Sequence, residues 1–159
     1  MNVTSHERVD ICLVCSTGGH LSQLFALRAA WRDFQRVWVT FDKSDARSLL
    51  QGEDVVYAHH PTSRNLKNLA RNVFLAVRIL RRLRPKVILT TGAGVAVPFA
   101  WVGRLFGARV VYVESFTRIH TPSLSCRLIA PFAERIYVQW PELTRALPQA
   151  RYAGSVFSS

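Results

Sequence analysis

Short apolar runs rich in β-branched residues alternate with stretches of helical periodicity along this whole chain, and that alternation limits what it can fold into more than any other feature. Strand candidates lie at residues 9–15, 36–41, 55–59, 86–91, 109–114 and 135–139, with 151–153 as a short last one. Helical stretches fall between them at 21–31, 44–51, 65–84, 95–106, 123–132 and 142–147. Strict alternation demands parallel strands joined by right-handed crossovers. The expected fold is therefore α/β, a Rossmann-like parallel sheet with helices on both faces. Ligands of such sheets bind beyond the carboxyl ends of the strands. The segments that carry functional information are then 16–20, 42–45, 59–64, 91–94, 114–120 and 139–140, which are richer in glycine, polar and titratable residues than the strands before them.

A length of 159 residues suits one domain and is too short for two. Residues 1–8 and 155–159 are expected to be flexible ends. Twenty-one basic against 10 acidic residues give a net charge of +11, almost all of it arginine. Such a field favours an anionic partner: nucleic acid, a phosphorylated ligand or an anionic membrane surface. Nucleic acid has only the charge in its favour, without a stacking platform or recognised module, and is not expected. No run approaches the ~18 consecutive apolar residues of a membrane span. The longest, 95–103, is interrupted by Pro98, and the polar start is not a signal peptide, so membrane contact should be peripheral. Cys12 and Cys15, three apart on a strand, point to opposite faces and cannot share a ligand; with Cys126 they read as small core residues.

Three constellations could carry chemistry. Ser16-Thr17-Gly18-Gly19-His20 joins the first strand to the first helix. A Gly-Gly turn lets backbone amides approach an anion at a helix start, and His20 would lie beside a diphosphate or an acceptor hydroxyl; a plain tight connection would use the same turn. Thr91-Gly92-Ala93-Gly94 follows the fourth strand, without the third glycine of a dinucleotide fingerprint, so nicotinamide cofactors are not expected. Glu114 ends an apolar strand and precedes Ser115 to His120. It can serve as a general base in a low-dielectric setting or cap a neighbouring loop through backbone amides. Asp42, Lys43 and Asp45 are possible acceptor ligands or simple caps, and His59 and His60 lack the third partner a metal needs.

Helix 65–84 is doubly patterned. At ~100° per residue, Leu66, Leu69, Ala70, Val73, Val77 and Leu80 form the stripe expected to face the sheet. Lys67, Arg71, Arg78 and Arg82 share another face, flanked by Phe74, Leu75 and Ile79. Exposed cations beside large apolar residues suit a helix lying against an anionic membrane.

Taken together, residues 16–20, Trp38 to Lys43, His60 to Asn65, Thr91 to Pro98 and Val113 to Arg118 resemble one family. It is the PssD-type acceptor subunit of bacterial two-subunit exopolysaccharide glycosyltransferases. This type is similar to the membrane-recruiting subunit of the eukaryotic enzyme that adds N-acetylglucosamine to dolichol diphosphate. The resemblance runs from about Val9 to Gly154. It implies the N-terminal, acceptor half of a GT-B glycosyltransferase, with a PssE-type partner subunit holding the UDP-sugar donor and no cofactor or metal in this chain. The acceptor would be a polyprenyl-diphosphate-linked saccharide at the cytoplasmic face of the inner membrane. Carried onto this chain, Glu114 and His20 are the two candidates for the base that deprotonates the acceptor hydroxyl, with Glu114 favoured and His20 orienting the diphosphate. Ser16, Thr17, Gly18, Gly19, Gly92, Gly94 and Arg118 would bind that diphosphate. Lys67, Arg71, Phe74, Leu75, Arg78, Ile79 and Arg82 would meet the membrane. A non-catalytic membrane scaffold that recruits the donor subunit is the alternative.

Overall fold

A computed structural model describes residues 8–157. Strands β1 (Ile11–Cys15), β2 (Arg36–Thr40), β3 (Val55–Tyr57), β4 (Val87–Gly92), β5 (Arg109–Val113), β6 (Arg135–Val138) and β7 (Arg151–Tyr152) form one parallel sheet. Its order is β3-β2-β1-β4-β5-β6-β7. The chain starts at the centre, winds to one edge, then crosses to β4 and winds to the other. That reversal places a topological switch point between β1 and β4, whose following helices α1 and α5 leave to opposite faces of the sheet. The expected Rossmann-like sheet is what the chain forms. Residues 1–7 and 158–159, most of the expected flexible ends, lie outside the described residues. Residues 155–157 pack back, Val156 donating its amide to Gln139 Oε1 (3.1 Å) and Phe157 meeting Phe116 edge-on.

Burial on both faces explains why these strands read as unbroken apolar runs. Along β1 every residue is buried, with Cys12 and Val14 facing one core and Ile11, Leu13 and Cys15 the other. The cysteines thus lie on opposite faces, and burial alone pushes the Cys12 thiol up to about 12. Helices α1 (Gly19–Ala26), α2 (Arg28–Trp31) and α3 (Ser44–Leu49) pack on one face. Helices α4 (Leu66–Leu83), α5 (Ala96–Leu105) and α6 (Leu124–Ile129) pack on the other.

Three helical expectations change in detail. Stretch 21–31 breaks at Leu27, where the Leu24 carbonyl takes the Trp31 indole N–H at 2.9 Å and Trp31 meets Trp38 edge-on. Pro131 and Pro141 start 3₁₀ turns, so 123–132 is only partly α-helical and 142–147 is replaced by Pro141–Arg145. Pro98 does not interrupt α5, because it sits in the first turn, whose amides need no intrahelical acceptor. Helix α5 is a core helix, and its Gly103 lets it lie directly on Ile88 of β4.

Helix α4 corrects the stripe. Its buried residues are Asn68, Asn72, Ala76, Ile79, Leu80 and Leu83, while Leu66 and Val77 are exposed. The helix is turned by about one residue step, ~100°, from the orientation its apolar residues suggest. Asn72 causes this: its side chain accepts from the His59 amide (2.8 Å) and donates to the His59 carbonyl (2.9 Å). Asn68 likewise donates to the Pro61 carbonyl at 2.9 Å. These bonds satisfy the backbone leaving β3, and they pull two polar residues inward. Ile79 is therefore core rather than membrane-facing, and Leu75 is half-buried against the same core. The outward face instead carries Leu66 and Phe74, 81% and 77% exposed, with Val77 beside the strip of Lys67, Arg71, Arg78 and Arg82.

Asn72→Ala should lower the unfolding free energy by about 2–3 kcal/mol, because it strands both His59 backbone groups. Phe74→Ala, on the outward face, should change it by no more than about 0.5 kcal/mol. Urea denaturation of the two variants checks the orientation of α4.

Candidate functional site

The switch point is stitched by a reciprocal pair. Thr91 Oγ1 donates to the His20 carbonyl at 2.7 Å, and His20 Nδ1 lies 2.8 Å from the Thr91 carbonyl. A carbonyl can only accept, so Nδ1 carries a proton there, and in the neutral ring the lone pair is on Nε2. His20 opens into a hollow of about 330 Å³ whose lining also includes Thr62, Arg64, Gly94, Ser115 and Arg118. Most of that lining is hydroxyl, amide or guanidinium. Helices α1 and α5 both begin beside it, His20 lying in the first turn of α1 and Gly94 just before α5, so two positive dipole ends lie near the hollow. The arrangement suits an anion or a polyhydroxylated ligand beside the imidazole of His20. Leu124, 71% exposed, gives the same hollow an apolar rim.

Of the residues singled out from the sequence, His20, Gly94 and Arg118 line the hollow. Ser16, Thr17, Gly18 and Gly19 form the turn into α1 without lining it, and the Gly18 amide is taken by the Asp45 carboxylate at 2.7 Å. Asp45 thus acts as a cap on that turn. Gly92, at φ 98°, owes its identity to Tyr112, whose hydroxyl occupies the place a Cβ would need. Gly94 similarly makes room for Thr62, which brings the Thr62–Arg64 segment against the hollow. Thr62, Ser63 and Arg64 were not singled out as ligands. Their signals in the sequence are a position just past a strand and membership of the motif His60 to Asn65.

Glu114, the favoured candidate for the base, is placed as a loop cap. Its side chain is fully buried and does not line the hollow. Oε1 accepts the Ser115 amide (2.8 Å) and, more distantly, the Tyr112 hydroxyl (3.5 Å), while Oε2 accepts the Ser123 amide (2.8 Å). Those bonds close the 115–123 loop onto the end of β5. Of the two alternatives left by the sequence, the geometry favours the loop cap over the base. The carboxylate also helps push the pKa values of Tyr112 and Cys126 upward, behind the larger effect of burial. Two buried glutamines complete the support. Gln23 Oε1 accepts the Phe116 amide (2.8 Å) and Gln139 Nε2 (2.7 Å), and Gln139 also donates to the Glu114 carbonyl (3.0 Å). The cross-chain role of Gln23 left no local signal in the sequence.

No group of side chains suited to a metal ion occurs among the described residues, and no helix there is long and apolar enough to cross a membrane. Residues 56–156 match the family of oligosaccharide biosynthesis proteins like Alg14. The chain belongs to that family. It is 25% identical over 187 residues to the human UDP-N-acetylglucosamine transferase subunit ALG14, covering 98% of this chain and 87% of that one. The subunit of the same name from Schizosaccharomyces pombe is 40% identical over 77 residues, 45% of this chain and 37% of that one. Among solved structures, Acinetobacter baumannii MurG superposes with a TM-score of 0.75 at 17% identity, over 94% of this chain and 46% of that one. UDP-N-acetylglucosamine 2-epimerase from Rickettsia bellii gives 0.73 at 12%, over 94% and 45%. The chain spans just under half the length of these solved structures, and its fold is that of the N-terminal half of a GT-B glycosyltransferase.

Glu114→Gln should weaken the protein by about 2 kcal/mol, because a carboxamide turns an NH₂ group toward one of two backbone donors. Amide exchange at Ser115 and Ser123 should accelerate with it. Denaturation and residue-resolved hydrogen exchange measure both, and an unchanged variant would return Glu114 to the list of candidate bases.

Proposed function

We propose that this chain is the acceptor-binding, membrane-associating subunit of a two-subunit inverting glycosyltransferase. In this reading a PssE-type partner holds the UDP-sugar, and the acceptor is a polyprenyl-diphosphate-linked saccharide extended in exopolysaccharide or capsule synthesis. The observation that carries it is His20: an imidazole locked by Thr91 with its free nitrogen at a hollow of hydroxyls and arginines, at the switch point of half a GT-B fold. The Alg14-like family and relatives named as transferase subunits support the division of labour. His20 takes the role of base that the resemblance gave first to Glu114. Its Nε2 accepts the proton of the acceptor hydroxyl as that oxygen attacks the anomeric carbon, and the nucleoside diphosphate departs on the opposite side. Arg64, Arg118 and the two helix starts supply positive potential for the acceptor diphosphate.

Attachment is peripheral and at the cytoplasmic face of the inner membrane. The outward face of α4 fits a headgroup layer, with Leu66, Phe74 and Val77 as apolar contacts and Lys67, Arg71, Arg78 and Arg82 beside them. Leu66 opens α4 two residues after Arg64, which lines the hollow, so the start of that face lies close to it. The scaffold alternative shares the partner and the membrane face and differs only at His20.

With a donor-binding partner present, His20→Ala should lower kcat by ~100-fold or more with acceptor binding largely kept. Steady-state transfer at several acceptor concentrations reads this, and full turnover in the variant would leave the chain a scaffold. On anionic vesicles each basic residue near the surface contributes on the order of 1 kcal/mol. Reversing Arg71, Arg78 and Arg82 to Glu should therefore release the protein in a co-sedimentation assay, as should high salt. Leu66→Ser with Phe74→Ser should weaken the binding that persists at high salt.

A further inference from the structure

The hollow beside His20 has an aromatic neighbour that proton transfer and diphosphate binding leave unused. Phe116 and Trp140 stand just past the carboxyl ends of β5 and β6, with ring centroids 5.2 Å apart, and Phe157 meets Phe116 edge-on at 5.8 Å. Phe116 is 37% and Phe157 55% exposed, and Trp140 is half-buried beside them. Three rings from three segments thus form one apolar surface open to solvent. Exposed apolar side chains are common singly, whereas a contiguous group marks a place where something binds.

The rings are also held still. The Trp140 indole N–H donates to the Phe116 carbonyl (2.6 Å), and the Phe116 amide donates to Oε1 of the buried Gln23 (2.8 Å). The Phe157 amide donates to Ser155 Oγ (3.2 Å), and the Val156 amide before it is taken by Gln139. A ring fixed in advance loses little conformational entropy when a ligand covers it. Phe116 lies between Ser115 and Thr117, both of which line the hollow together with Arg118. Ring surface therefore adjoins hydroxyl and guanidinium groups, at the carboxyl edge where sheets of this class take their ligands.

That combination matches the chemistry of a sugar ring. A pyranose carries C–H groups on its face and hydroxyls around its rim. The C–H groups are drawn to the negative face of an aromatic ring, and the hydroxyls need donors and acceptors close by. A lipid chain would use the rings without the hydroxyls, and a diphosphate would do the reverse. We propose that Phe116, Trp140 and Phe157 form a stacking subsite for a pyranose ring of the acceptor saccharide, with the Thr117 hydroxyl beside it as a polar partner. The assignment of that ring to the acceptor rests on the reading of this chain as an acceptor-binding subunit. Diphosphate and sugar are then held by different residues, Arg64 and Arg118 serving the first and the three rings the second.

Saturation-transfer NMR on the full chain alone, with methyl β-D-glucopyranoside, methyl β-D-galactopyranoside, sorbitol and uridine as probes, tests the subsite. Sorbitol has the hydroxyls without a ring face, and uridine carries a base that also stacks on aromatic side chains. At least one pyranoside should take up saturation, chiefly at its ring C–H protons, and should shift the Trp140 indole N–H signal. Its affinity should fall at least 5-fold in Phe116→Leu, which stays apolar but has no π-face, and should stay within about twofold in Phe116→Tyr. Phe34→Ala removes an aromatic ring of similar exposure before β2, at the opposite end of the sheet, and should also leave it within about twofold. Absence of pyranoside binding, equal binding of sorbitol, tighter binding of uridine, or equal loss in Phe34→Ala would each overturn the proposal. A second arm adds a donor-binding partner and a polyprenyl-diphosphate-linked acceptor that the pair turns over. Phe116→Leu should raise the acceptor KM at least 5-fold with kcat within about twofold, while farnesyl diphosphate, which has no sugar, inhibits variant and parent alike. If transfer is restored and Phe116→Leu leaves the acceptor KM unchanged, or if that variant fails to assemble with the partner, the subsite is wrong and the two-subunit reading stands. If no donor-binding chain restores transfer while a pyranoside still binds in a Phe116-dependent way, the two-subunit reading falls and the sugar subsite stands.

Discussion

The reciprocal hydrogen bonds between His20 and Thr91 hold this molecule's functional end together. They join the first residue pair of α1 to the end of β4 across a separation of 71 positions, at the place where the sheet reverses its winding. A crevice at a switch point is free to gape, since no connection spans it. Here one threonine closes it with both its hydroxyl and its carbonyl. The same contact decides the chemistry of the imidazole, because the carbonyl selects the tautomer. Structure and reactivity thus hang on one backbone oxygen.

Around that pair the site is supported by buried polar groups, each used more than once. Glu114 gathers two backbone amides, Gln23 joins α1 to the loop after β5, and Gln139 ties the end of β6 to residues 155–157. Buried polar groups are costly unless satisfied, and these are satisfied by segments distant in sequence. They hold Ser115, Thr117, Arg118 and Ser123 around the hollow without entering it themselves. Burial that would have suited Glu114 to acid–base work is instead filled with amide donors.

The two sheet faces follow opposite logics. On one, α5 is packed so closely that Gly103 touches Ile88, and α4 turns its cations and its largest apolar side chains outward. On the other, no helix among the described residues covers the apolar floor over β5 and β6. A strongly basic chain sets cations beside apolar neighbours on the outward side of α4, and the combination rather than the charge gives that surface its use.

Strand positions, parallel order of elements and the Rossmann-like class were legible in the chain, because strands buried on both faces must be continuous apolar runs and because crossovers have one hand. His20 and Arg118 were legible as well, since any residue just past a strand lies at the carboxyl edge. The rotation of α4 was not. Asn68 and Asn72 look like surface residues until the backbone leaving β3 is seen to need their bonds, so only tertiary structure moved Ile79 inward. The role of Glu114 also waited on the fold: a carboxylate at a strand end is a base or a cap according to which amides the next loop brings back to it, and the Ser123 amide arrives from nine residues away. Sequence pattern determines which residues reach the functional edge, because that follows from chain order and periodicity. Only the tertiary structure decides which of them stay free to react, because the hydrogen bonds that occupy the others come from distant segments.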